Sequence, residues 1–261
     1  MIRECHCERS EESRSFLKEQ ILLNYIPQND TVFYLQRGNI ITMTLQPEEM
    51  LEEWDWEKGI PTGKSIPRSI AHQCGIAHEG VHLWIVRSIP IPQLVFQKRA
   101  SHKDMYPGYL DITVGGHVPY GLDTNKIHKE AYEEIGIIPD DNKLIDLGYF
   151  RYEENNATLF HREFQRVYLY MSDEPLTAYS FNDNEVNAVY AIPVDYCKAI
   201  FTDDYPMEVE AYNGYQLLTT FVSKNNFHPL LFAPSMSHYM DVLFTAIEQL
   251  LQFGTVTIRM S

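Results

Sequence analysis

The sequence predicts an α/β sandwich, a mixed sheet held between helices. Three observations predict it. Apolar, β-branched runs recur along the chain, among them Val81 to Val86 and Val186 to Ile192, and runs of that length and composition read as buried strands. From Gly115 a glycine-rich turn leads into a short helix bearing Glu130, Glu133 and Glu134. Late in the chain, Met236 to Phe253 has helical periodicity, with Tyr239, Met240, Leu243, Phe244, Ile247, Leu250 and Leu251 on one broad face. A sheet needs its apolar faces covered, and the two helices are the elements that can cover them.

The elements follow in order. Thr31 to Gln36 and Asn39 to Leu45 are β-rich around Arg37 and Gly38, which predicts a hairpin. Pro47 to Leu51 reads as the start of a short helix, with proline in its first turn. Glu53 to Trp56 alternates, Lys58 to Pro61 is a turn and Thr62 to Ile66 a return strand. Ser69 to His72 reads as a short helix. Strands are expected at 81–86, 94–99 and 110–114, the last feeding the glycine turn, with a loop from Lys103 to Gly108. After the helix come strands at 144–152, 163–171 and 186–192, then a helix start at 193–200. The stretch 201–234 reads as irregular and aromatic, and Gly254 ends the late helix.

Composition bounds the function. With 261 residues, the chain holds one large domain or one domain with an extension. The expectation is an N-terminal, partly β extension over 1–50 and the main domain over 51–261. A net charge of −15 argues against a duplex nucleic acid partner, which is gripped through its backbone by Lys and Arg. No run approaches the length of a membrane span, and the N-terminus lacks the apolar core of a secretory signal. Cys5, Cys7, Cys74 and Cys197 follow no disulfide framework, so the expectation is a reduced, cytoplasmic protein. Cys5, His6 and Cys7 stand too close together for a zinc knuckle. A homodimer is left open.

The chemistry concentrates in two places. Glu130, Glu133 and Glu134 stand at i, i+3 and i+4, so a helix sets them on one face. Clustered carboxylates repel unless a cation lies between them, and hard oxygen donors suit Mg²⁺ or Mn²⁺. His78 to His82 spells HExxH, a zinc-protease pattern that works only on a helix. Here it runs into a strand, which would hold the two histidines roughly 13 Å apart at about 3.3 Å per residue.

The stretch from Gly115 to Ile137 resembles the Nudix box, the loop-helix of the Nudix hydrolase superfamily. Lys129 to Ile137 matches its second half, with Lys129 for arginine. Leu122 or Asp123 falls where the family has an early glutamate that braces the loop. The resemblance implies a Nudix-type α/β/α sandwich and divalent-metal-dependent hydrolysis of an organic diphosphate, with Glu130, Glu133 and Glu134 as metal ligands. Glu163 or Glu185 would then orient water or complete the metal shell, and Gly115 and Gly116 would let backbone approach the phosphates.

Residues 52 to about 200 further resemble the branch related to isopentenyl diphosphate isomerase. The matching pieces include Pro67 to His72, His78 with Trp84, Gln97 to Arg99, Lys103, Tyr106 to Gly108, Gly116 to Val118, Glu163 to Leu169 and Asn184 to Val186. This resemblance implies a second metal site at His72, His78, His117 and Glu163, with His161 in place of a further glutamate. It also implies a diphosphate grip by Lys98, Arg99 and Lys103. Gly115 falls on the isomerase's acid-base cysteine, and glycine has no side chain to move a proton. Isomerase-like chemistry and a non-catalytic nucleotide-binding module are the alternatives to hydrolysis.

Overall fold

The structure is a computed structural model that describes residues 31–36, 39–44, 48–103, 106–155 and 160–260, the first two segments as backbone. Residues 16–23, whose sequence reads as mildly helical, the Cys5–His6–Cys7 group and the 37–38 turn lie outside the described residues. The chain divides into two units, Met1–Glu49 and Met50–Ser261. In the first, β1 (Thr31–Gln36) and β2 (Asn39–Thr44) pair antiparallel, as expected.

The second unit opens with a hairpin of β3 (Met50–Asp55) and β4 (Ile60–Pro67), followed by α1 (Arg68–Cys74). The helix expected from Pro47 does not form at Met50 and Leu51, which begin β3; pairing there buries Leu51 completely. Next come β5 (His78–Arg87), β6 (Gln93–Arg99), β7 (Leu110–Asp111), β8 (Val114–His117) and α2 (Lys126–Ile135). Then follow β9 (Leu144–Asn155), β10 (Phe160–Met171), β11 (Val186–Pro193), α3 (Val194–Ala199), β12 (Met207–Tyr212), β13 (Leu217–Val222) and α4 (Ser237–Phe253). The hairpin of β12 and β13 corrects the irregular reading of 201–234. Its sign was the Asn213-Gly214 turn between alternating runs, with Gly214 at φ 87°.

The main sheet runs β13-β12-β11-β6-β5-β10-β9, with β7 beside β6 and β8 beside β5. It is mixed: β5 and β10 are parallel and the other neighbours antiparallel. Alternation along β5 sorts its side chains. Trp84 and Val86 join the core under α4, with Tyr239, Leu243 and Ile247. Val81, Leu83 and Ile85 join the core under α2, with Ile127, Ala131 and Ile135. Helices cover both faces, which is the predicted sandwich.

The sheet forks at β5. This strand pairs with β6 only from Ile85 to Arg87, and with β8 from Gly80 to Leu83. Thr113 fills the crotch: its hydroxyl accepts from Ile85 N at 3.0 Å and donates to the Val95 carbonyl. The single strand expected over 110–114 is therefore two short ones, one on each prong.

Gly136 closes α2 at φ 73°, and a Cβ there would lie 2.8 Å from the Ser180 carbonyl oxygen. Both the backbone angle and the contact oppose any side chain. Gly136→Ala should lower the urea midpoint, with a stability loss of more than about 1 kcal/mol and an unchanged slope.

Candidate active site

Three neighbouring strands assemble the first cluster. On β10, Glu163 stands opposite His78; on β8, His117 stands opposite Gly80. Gly80 borders the cluster, and a Cβ there would make an ordinary 3.4 Å contact with the Glu163 carboxyl. His161 lies two residues before Glu163, on the same face of β10. Helix α1 supplies His72, whose Nε2 is 3.2 Å from His117 Nε2. The Glu163 carboxylate is 3.2 Å from His117 Nε2 and 3.4 Å from His161 Nε2.

His78 is the informative member. It is fully buried, and its Nδ1–H donates to the Ile76 carbonyl at 3.0 Å. Its other ring nitrogen, Nε2, lies 3.5 Å from Glu163 Oε1 and has no hydrogen-bond partner among the described residues. A proton or a metal ion between the two would satisfy both. His72, pushed down to about 3 by burial and the neighbouring imidazoles, is neutral and free to ligate. Burial acts to raise the Glu163 pKa, but the charge of His161 and hydrogen bonds from His117 and His161 hold it well below the usual range. The donor set of His72, His78, His117, His161 and Glu163 fits a divalent metal.

The second cluster belongs to α2. Glu130 and Glu134 are buried against β8, while Glu133 is half exposed. Glu134 accepts from Gln97 Nε2 at 2.9 Å and from Gly115 N at 3.1 Å. Gly116 is required here, because a Cβ would lie 2.1 Å from Glu130 Oε2. Lys129 bonds Glu130 at 3.0 Å and Glu133 at 2.7 Å. Even so, burial first, and then the nearby Glu130 charge, raise the Glu134 pKa well above normal. Negative charge is gathered here with too little to balance it, which fits a divalent cation.

Between the prongs of the fork lies a cavity of about 310 Å³. Gly115, Gly116, Gln97 and Arg99 line it, as do His72, His117, His161 and Glu163. The histidine cluster reaches it from one side; the box acids stand behind Gly115 and Gln97. Of the expected cations, Arg99 lines the cavity and bonds Asp111 at 3.1 Å. Lys98 points to the other side of β6 by strand alternation. Lys103 pairs with Glu185, and neither lines the cavity. Sequence reasoning missed Arg68, Tyr152, Glu154 and His228 in the lining. They come from three separate segments, Tyr152 and Glu154 both from β9, and only Arg68 falls in a piece that the sequence singled out. His82 stands apart from the cluster and bonds Tyr239, so HExxH forms no metal pair.

The bracing that the box lacks is supplied elsewhere. Lys126, at the start of α2, pairs with Glu79 on β5. Glu79 is buried and also accepts from the Tyr149 hydroxyl at 2.9 Å. This pair ties the helix to the central strand where Leu122, Asp123 and Lys129 cannot.

Comparison with known proteins gives the family. No family model matches the chain. Over 149 residues the chain is 32% identical to an uncharacterized Nudix hydrolase of Clostridium acetobutylicum, covering 57% of this chain and 71% of that protein. It is 31% identical over 159 residues to Nudix hydrolase 3 of Arabidopsis thaliana, covering 59% of this chain and 20% of that protein. A solved structure from Deinococcus radiodurans aligns with a TM-score of 0.46 at 23% identity, over 58% of this chain and 87% of that one. The chain belongs to the Nudix hydrolase family.

Two outcomes follow. Lys126→Met should destabilise by about 3 kcal/mol, because it strands a buried carboxylate, and Lys126→Met with Glu79→Gln should recover most of the loss in denaturant titrations. The second concerns Glu134. Its raised pKa means that the folded state keeps a proton that the unfolded chain releases. This contribution is present below the unfolded value near 4.5 and is lost as pH rises toward the folded value. Without divalent ions, the Tm of the wild type should therefore fall between pH 5 and pH 7 relative to Glu134→Gln. Added Mg²⁺ should reverse the difference in the wild type only.

Proposed function

We propose that this protein hydrolyses an organic diphosphate, X–O–P–O–P–Y, in the cytoplasm, with Mg²⁺ or Mn²⁺ held by Glu130, Glu133 and Glu134. The observation that carries the reading is the pair of buried carboxyl groups of Glu130 and Glu134, set directly behind the Gly115–Gly116 wall of the cavity. A divalent cation bound there supplies charge neutralisation at a phosphoryl oxygen and a bound water of lowered pKa. The chain does the rest. Arg99 and Arg68 grip phosphoryl oxygens from the cavity lining. Gly115 and Gly116 let the substrate approach the backbone. Lys103, paired with Glu185, adds positive charge near Glu134.

The histidine cluster is proposed as a second metal site that positions substrate. Its imidazole-rich donors suit a first-row transition metal better than Mg²⁺. That cluster also supports the isomerase-like reading, but Gly115 offers no side chain for the proton transfer.

A panel of nucleoside, sugar, thiamine and isoprenoid diphosphates, incubated with Mg²⁺ or Mn²⁺, should release monophosphate from at least one member. Glu133→Gln and Glu134→Gln should each lower that turnover at least about 100-fold, because an amide is a poor metal ligand. Binding without turnover across the panel would replace the hydrolase with a binding module. Deuterium entering dimethylallyl diphosphate from isopentenyl diphosphate in D₂O would replace it with an isomerase.

A further inference from the structure

A buried hydrogen-bond chain runs from the core to the cavity. Trp84 and Tyr239 are both fully buried, and the Trp84 indole N–H donates to the Tyr239 hydroxyl at 2.7 Å. That hydroxyl is 3.0 Å from His82 Nδ1. Indole nitrogen can only donate, so it occupies a lone pair of the phenol oxygen. The phenol proton needs an acceptor, and among the described residues His82 Nδ1 is the one beside it. His82 Nδ1 therefore accepts, and a neutral His82 carries its proton on Nε2.

His82 is one of the residues that line the cavity, and Gly115 is its neighbour there: a Cβ at residue 115 would lie 3.6 Å from His82 Cδ2, the atom bonded to Nε2. Glycine places no side chain beside that atom.

We propose that His82, locked as the Nε2–H tautomer by Trp84 and Tyr239, donates a neutral hydrogen bond to a phosphoryl oxygen of the substrate in the cavity. Tyr239 is then a positioning residue, and the role of Gly115 is to leave the ring edge open. A neutral donor adds direction beside the charged Arg68 and Arg99 without adding net charge. The proposal rests on the diphosphate reading.

The tautomer is tested first, without activity. In ¹⁵N-histidine-labelled protein, the resonance pair lost in His82→Gln should show a protonated Nε2 and an unprotonated Nδ1 at pH 7. Tyr239→Phe should convert that pair to a mixture of tautomers. A protonated Nδ1 in the wild type would overturn the proposal. Inorganic pyrophosphate with Mg²⁺ is then titrated calorimetrically. His82→Leu should bind roughly tenfold more weakly, and His82→Gln, which keeps a donor, within about threefold of the wild type. Tyr239→Phe, which frees the tautomer and leaves the cavity lining unchanged, should weaken binding in the same direction if His82→Leu fails to fold. Wild-type affinity in both His82→Leu and Tyr239→Phe, or equal losses in the Leu and Gln variants, would overturn the role of His82 alone. No pyrophosphate binding by the wild type would overturn the diphosphate reading with it.

Discussion

The register of β5 against β10 and β8 is the constraint on which the site depends. Parallel pairing sets Glu163 opposite His78, and antiparallel pairing sets His117 opposite Gly80. A slip of one residue would turn every side chain of β5 to the other face. His78 and His82 would then point toward α2, and Val81 and Leu83 toward α4. The two apolar cores prevent this, because Trp84 and Val86 fit one and Leu83 and Ile85 the other. The packing of a hydrophobic strand thus fixes the positions of the imidazole and carboxyl groups that meet at this cluster.

Three buried carboxylates show how differently charge is handled around this strand. Glu79 has a permanent partner in Lys126 and serves as a brace. Glu163 is surrounded by imidazoles and keeps its charge. Among the described residues Glu134 is hydrogen-bonded by the Gln97 amide and one backbone N–H, and burial raises its pKa. A brace keeps its countercharge at all times, whereas a carboxyl without one can take a cation, which is the role proposed for Glu134 above.

Much of this was legible in the sequence. Periodicity gave β5 and α4, and the i, i+3, i+4 spacing placed Glu130 and Glu134 together. The resemblance to the isomerase branch brought His72, His78 and His117 to one cluster before any coordinates. The misses have physical causes. Lys98 and Arg99 are adjacent in sequence, but strand alternation separates them, so one charge run became one cavity residue and one residue turned away. The Glu79–Lys126 brace joins positions 47 residues apart, and no local pattern marks such a pair. Tyr239 read as one more apolar residue on the helix face, because its hydroxyl matters only once α4 is docked over Trp84.

Gly115 connects these levels. As a sequence symbol it is a loss, a glycine where the isomerase branch has an acid-base cysteine. In the fold its N–H bonds Glu134, and its missing side chain leaves room that Ile112 and His82 border. A Cβ would lie 2.6 Å from Ile112 Cδ1, so a larger residue could enter only if Ile112 moved. The surroundings have closed around glycine on the Ile112 side, and glycine places no side chain beside His82 on the other. With no side chain at residue 115 and with Ile112 packed against the place one would take, this wall of the cavity carries no group that could move a proton, which is the physical reason the proposed reading is hydrolysis rather than isomerisation.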